Sequence, residues 1–299
     1  MTIAARRSDS QFRVLTYSAH IMFGMVHRLL LTFAAICALG LAQNPDWDAP
    51  FPPHRLADNV YYVGTKGLST YLITTSAGHI VVNSSFERTV PMIRASIEKL
   101  GFKFSDVKIL LGSHAHGDHM EGNPLFKELT GAATYVMEGD DQVVAKGNGR
   151  SWKPSKVDHV LKDGDKVTLG GFTLTAVLTP GHTKGCTTWT FPVTDGGKRY
   201  NAVIVGSPNV NQGYILVGNR NYPEIAEDYA RTFKILKALN GELFLGAHGD
   251  YYGMVAKYDR VTKGEKTNPF IDPAGYKAYI EERDQAYLRE LDKQRQAKK

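Results

Sequence analysis

The stretch Ser113-His-Ala-His-Gly-Asp-His-Met-Glu-Gly-Asn123 places His114, His116, Asp118 and His119 within six positions. Neutral imidazole and carboxylate are the usual protein ligands of zinc, and this segment offers both at close range. A single histidine says little, since most are satisfied surface or core residues. These four follow an apolar run, Val107-Lys-Ile-Leu-Leu111, which reads as a buried strand closed by Gly112 and Ser113. Ligand sites in layered α/β folds gather at the C-terminal ends of strands. Gly117 is expected to let the turn close tightly enough for the ligands to converge.

Two later histidines stand in similar settings. Thr179-Pro-Gly-His182 follows the strand-like run Phe172–Val177, and Gly246-Ala-His248-Gly follows Leu243–Leu245. Either alone would read as a satisfied turn histidine; beside the first cluster both become ligand candidates. The remaining histidines after residue 42, His54, His79 and His159, lack such a setting and read as surface or turn residues. Five histidines and Asp118 are too many for one tetrahedral zinc. They suit two metals, each with three protein ligands and a position open to solvent, whose bound water is deprotonated near neutral pH.

The elements that position these residues are legible as periodicities. Residues 59–86 alternate as short strands: Val60–Val63, Thr70–Ile73 and Ile80–Val82. Arg88 to Leu100 has helical spacing, with Val90, Ile93, Ile97 and Leu100 on one stripe and Gly101 as the stop. Pro124–Leu129 reads as a short helix and Thr134–Met137 as a strand. Val167–Leu169 and Phe172–Val177 form a hairpin around Gly170-Gly171, and Thr187–Val193 pairs with Ala202–Val205 around Gly196-Gly197. Glu224–Leu239 is helical, and a charged helix runs from Tyr276 onward. Strands precede helices twice, which predicts two sheets packed face to face with helices outside.

Composition is that of a globular chain: 299 residues, 42% hydrophobic, 22% charged, net charge +6. Half of that charge lies in residues 1–42, which hold four Arg and one Asp. Met25-Val-His-Arg28 followed by apolar Leu29–Ala42 has the pattern of a secretory signal, too short for a comfortable membrane span. Cleavage is expected after Ala42, leaving a single domain over 43–299; the alternative is an amphipathic N-terminal helix that stays attached. The remaining +3 gives little support for a nucleic-acid partner, and no stable membrane anchor is expected. Lys293–Lys299 reads as a solvated helix end. Of the two cysteines, Cys37 would leave with the signal and Cys186 would remain alone, so no disulfide framework and no Cys-rich zinc site is available.

"HAHGDH", "TPGHTKG" and "GAHG", in this order, resemble the metallo-β-lactamase superfamily over almost all of Asn59–Leu245 and beyond. The His-x-His-x-Asp-His pattern is highly specific for the superfamily and not for the substrate. Many of its hydrolases carry a metal-bridging Asp after the strand that matches Ala202–Val205; here Gly206-Ser207 follows instead. A Ser there, with His119 as an extra ligand, is similar to class B, subclass B3 zinc β-lactamases, as are "LTPGHTKGCTTWTF" and "YPEIAEDYARTFKILKAL". The resemblance implies a four-layer αβ/βα sandwich of the α/β (α+β) class. It implies a first zinc on His114, His116 and His182 and a second on Asp118, His119 and His248. A metal-bridging hydroxide would open the β-lactam ring of carbapenems, cephalosporins and penicillins with no covalent intermediate. Asp118 would orient that hydroxide, and Tyr214 would donate toward the carbonyl oxygen. Ser207 and Asn209 would grip the substrate carboxylate, Asn209 standing where Ser is usual. Glu121 would sit at the rim of the site or face solvent, and Lys184 would steer anionic substrates or simply be solvated. Pro45–Pro53, with Trp47 and Phe51, would wall the cleft or pack as an arm. The implied protein is a monomeric, periplasmic or secreted bacterial enzyme of antibiotic resistance acting on a small molecule. A lactonase or a glyoxalase II-like thioesterase is the alternative activity. A zinc-binding protein without hydrolytic activity and a nucleic-acid processing enzyme are the readings from other classes.

Overall fold

In the computed structural model, which describes residues 44–149 and 152–298, strands β3 (Tyr71–Thr75), β4 (Gly78–Val82) and β5 (Val107–Leu111) show how the layers arise. Side chains alternate across a strand, so each strand feeds two cores. Tyr71, Ile73, Ile80, Val82, Ile109 and Leu111 enter the core between the sheets. Leu72, Val81, Val107 and Leu110 point the other way, onto helix α1 (Val90–Lys99) through Val90, Ile93 and Ile97. Strands apolar on both faces need cover on both faces.

The first sheet has seven strands in sequential order: β1 (His54–Ala57), β2 (Val60–Tyr62), β3, β4, β5, β6 (Ala133–Met137) and β7 (His159–Leu161). It is antiparallel up to β4 and parallel from β4 to β7. The second has five, in the order β12-β11-β10-β9-β8: β8 (Lys166–Leu169), β9 (Phe172–Leu178), β10 (Thr187–Asp195), β11 (Lys198–Val205) and β12 (Leu243–Gly246). Only β11–β12 is parallel there. The β10–β11 hairpin turns on Gly196 and Gly197 at φ +56° and +78°, the left-handed pair that a two-residue hairpin loop requires.

Short helices α2 (Gly117–Met120), α3 (Asn123–Thr130) and α4 (Asp141–Lys146) follow the parallel strands. Helices α5 (Ile225–Ala238), α6 (Met254–Thr262) and α7 (Pro273–Ala297) belong to the second half. Ile225, Tyr229, Phe233 and Leu236 of α5 and Tyr276, Ile280, Tyr287 and Leu291 of α7 are buried in the larger core. The mixed α/β class and the pair of packed sheets with helices are as expected from the sequence. The elements it did not predict are short or edge pieces: β1, β7, α2, α4 and α6. The signal-like segment, Cys37 and the cleavage point after Ala42 lie outside the described residues. Asp46–Lys299 cluster as one compact unit, and no helix among the described residues is long and apolar enough to cross a membrane.

Two histidines depart from their sequence reading. His54 and His79 are buried strand residues, at 9% and 7% exposure. His54 stacks on Tyr62 and Phe270, and His79 meets Phe102 edge-on. Imidazole packs as an aromatic ring when neutral, and burial lowers the pKa of both, that of His54 to about 4. His159 is exposed, on edge strand β7, with its ring against Tyr135.

Candidate metal centre

Strand ends deliver every candidate ligand to one rim. His114, His116, Asp118 and His119 follow β5, His182 follows β9, and His248 follows β12. The rings of His114, His116 and His182 lie 4.5–4.8 Å apart, centroid to centroid. His119 stands 4.2 Å from His114 and 4.8 Å from His248. Ligand atoms of His114, His116 and His182 fall within 4.8 Å of one another, as do those of His114, Asp118 and His119. His248 joins the second group: its Nε2 is 3.1 Å from His119 Nε2 and 3.4 Å from Asp118 Oδ2, and His119 Nε2 is 3.2 Å from the same oxygen.

The chain at β4 holds this cluster in place. Asn83 and Ser85 adopt left-handed φ of +66° and +59°. Asn83 Oδ1 accepts from Ser113 N at 2.8 Å, and Ser85 N donates to His119 O at 3.1 Å. Gly117 begins α2 without a positive φ, so it gives the ligand turn no left-handed residue. A Cβ at Gly122 would meet Ser84 O at 2.6 Å and Val90 Cγ2 at 2.8 Å, so there the chain passes too close for any side chain. Across the sheets, Trp189 Nε1 donates to Gly112 O and Thr187 N to Ser113 O. Asp140, which drew no attention in the sequence, accepts from Ala115 N, Thr183 Oγ1 and Gly185 N. Burial raises its pKa, and the three donors oppose that shift.

The ionisation states suit a cation. Burial holds the pKa of His182 and of His248 down at about 3, and pushes that of His114 well below the imidazole range. Burial alone would raise Asp118, but His119, His248 and His116 overcome it and keep the carboxyl well below its usual range. Neutral imidazoles and an ionised carboxylate are the forms that bind metals. His182 Nδ1 donates to Asn209 O at 2.7 Å, which leaves Nε2 as the lone-pair nitrogen. His114 Nε2 is buried with no hydrogen-bond partner among the described residues. A buried ring nitrogen left so costs about 1–3 kcal/mol, and a divalent metal among these donors removes that cost.

Several implied neighbours sit beside the cluster. Tyr214 OH donates to His182 O at 3.0 Å and is 3.5 Å from His116 Nε2; burial pushes its pKa up to about 12, so it stays protonated. Ser207 is buried with its hydroxyl 3.1 Å from Tyr251 OH. Asn209 meets His182 and Tyr229 OH through its main-chain oxygen and Arg283 through its side chain. Trp47 lies 5.6 Å from the His248 ring, its arm tied down by Lys66–Asp46 and Arg88–Asp48 ion pairs. Phe51 turns away, onto His54, Tyr62 and Tyr258. Glu121 is 8% exposed and so does not face solvent; its carboxylate lies against Gly117 in the ligand turn. Lys184 is exposed, over the Tyr222 ring. The chain end is not simply solvated: Gln294 accepts from Leu216 N and Val217 N and donates to Tyr214 O, and Lys298 donates to Val217 O.

Comparison with known proteins agrees with this geometry. The family model of the metallo-beta-lactamase superfamily matches residues 64–196. The chain is similar to the native FEZ-1 metallo-beta-lactamase of Legionella gormanii, at 50% identity and TM-score 0.81, over 83% of this chain and 98% of that one. It is similar to BJP-1, a subclass B3 metallo-beta-lactamase of Bradyrhizobium japonicum, at 38% identity and TM-score 0.80, over 85% and 99%. Among curated proteins it matches a hydroxyacylglutathione hydrolase of Hyphomonas neptunium, 34% identical over 98 residues, 33% of each chain. The matched stretch thus spans about a third of the length of such curated relatives.

Proposed function

Because this chain belongs to the metallo-β-lactamase superfamily, we propose that it is a zinc-dependent β-lactamase of the subclass B3 type, exported through its N-terminal segment. The observation that carries this reading is the convergence of His114, His116, His182, Asp118, His119 and His248 at one rim. The B3 relatives match it over nearly their whole length.

Two zinc ions are assigned, one to His114, His116 and His182 and one to Asp118, His119 and His248. When bound they would supply a Lewis acid for the lactam carbonyl and a solvent molecule acidic enough to ionise near neutral pH. The chain's own residues do the rest. Asp118, held ionised, accepts a hydrogen bond from the attacking water and fixes its direction. Tyr214 stays protonated, its single O–H donating to His182 O; turned away from that oxygen, it would donate where negative charge grows on the amide oxygen. Trp47 gives an apolar wall next to His248. Arg283 bonds Asn209 Oδ1, but its guanidinium is already paired with Glu282, so the grip on a substrate carboxylate is left to Asn209 and Ser207.

The glyoxalase-type relatives support a second reading, thioester hydrolysis. Against it stands the buried Ser207, paired with Tyr251, where many such hydrolases carry a bridging carboxylate. Parallel assays on a carbapenem, a cephalosporin and an S-acyl glutathione separate the two. Zinc-restorable turnover of the lactams supports the proposal, and turnover of the thioester alone overturns it.

A further inference from the structure

Asp140 is a charged side chain at 2% exposure, just past β6 at the same rim. Oδ2 accepts from Ala115 N and from Thr183 Oγ1, each at 2.7 Å, and Oδ1 accepts from Gly185 N at 2.9 Å. Ala115 lies between His114 and His116, and Thr183 follows His182. The first loop leaves the seven-stranded sheet and the second joins two strands of the other. One carboxylate thus ties together the two loops that carry the three-histidine set. Burying a carboxylate costs several kcal/mol unless its oxygens are satisfied, and these are met by three donors. The fit is close: a Cβ at Gly185 would stand 2.7 Å from Asp140 N and 2.8 Å from its Cβ.

We propose that Asp140 is the positioning residue of the three-histidine half of the metal centre, fixing the spacing between His114 and His116 on one loop and His182 on the other. This rests on the metal assignment above. The hydrogen bonds of Asp140 run to the loop main chain at Ala115 and Gly185 and to the Thr183 hydroxyl, so its effect on the three rings passes through the loops. Asparagine cannot replace it. With its oxygen at the Oδ2 position the amide NH2 faces Gly185 N–H, donor against donor; turned over, it faces Ala115 N–H, and only the Thr183 hydroxyl can rotate to accept.

The test is a pair of zinc titrations of the full chain against a chromogenic chelator. In a His248→Ala background, where the three-histidine half is the complete one, Asp140→Asn should weaken zinc about 10–100-fold, the range for loss of a ligand's supporting partner. In a His182→Ala background the same change should move affinity less than about threefold. Thr183→Val, which removes one of the three bonds, should give a smaller loss with the same asymmetry and decides the matter if Asp140→Asn does not fold. Equal losses in the two backgrounds, or none in either, overturn the proposal. A wild-type chain that binds no zinc sinks the metal assignment and this inference together. Zinc binding without lactam turnover sinks only the β-lactamase reading.

Discussion

His182 Nδ1 meets the main-chain oxygen of Asn209 at 2.7 Å, so it is the backbone of residue 209, and not its side chain, that sets the tautomer of the ligand. Asn209→Ala should therefore leave zinc affinity within about twofold, while His182→Ala should weaken it by at least the 10–100-fold seen for lesser perturbations. Chelator competition on both variants checks this. Equal loss in Asn209→Ala would show that the side chain holds the metal centre.

Gln294 joins the far end of α7 to the loop beside the site, through Tyr214 O and Leu216 N at 2.7 Å each and Val217 N at 3.3 Å. Each such bond is worth about 1 kcal/mol net, about a fivefold change in an equilibrium constant. Because this loop carries Tyr214, Gln294→Ala should lower kcat/KM about 3–10-fold through kcat, with zinc content little changed. A raised KM with kcat constant would place the loop's role in substrate binding instead.

Tyr71 OH bridges the sheets, donating to Gly246 O at 2.7 Å and accepting from Gly246 N at 3.2 Å, two residues before His248. Tyr71→Phe leaves two buried main-chain groups unpaired, at about 1–3 kcal/mol. For a chain of this size that is about 2–4 °C of Tm per kcal/mol. Thermal unfolding with Tm unmoved would mean the sheets do not depend on this link.

His54 gives a pH dependence remote from the metal centre. Its folded pKa, about 4, lies below the unfolded 6.5, because burial disfavours the imidazolium. Between these values the unfolded chain binds the extra proton, so stability falls as pH drops from 6.5 toward 4 and is unaffected above 6.5. The full swing is about 3 kcal/mol. In zinc-loaded protein, His54→Phe should lose less Tm than wild type over that interval. Parallel Tm curves would show that His54 carries none of the acid sensitivity.

The candidate ligands are legible because each lies in a turn that follows an apolar run closed by Gly, Ser or Pro, a local signal. The supporting residues carry no such signal. Asp140 and Gln294 are ordinary polar residues until the sheets and α7 bring them to the rim, over sequence separations of 25 to 80 residues. His54 and His79 were misread for the same reason: short strands show too few alternations to reveal which face is buried. The burial of Glu121 is not legible in the sequence, because the four-residue helix before it, Gly117–Met120, has no periodicity to detect. The longer strands and the helices α1, α3, α5 and α7 fall where expected, whereas α6, of nine residues, was not predicted.

The most direct measurement is hydrolysis of a carbapenem and a cephalosporin by the purified chain, before EDTA, after it, and after zinc is returned. The convergence of five histidines and Asp118 predicts turnover that EDTA abolishes and zinc restores. Zinc-loaded, folded protein that opens neither ring would contradict the β-lactamase assignment.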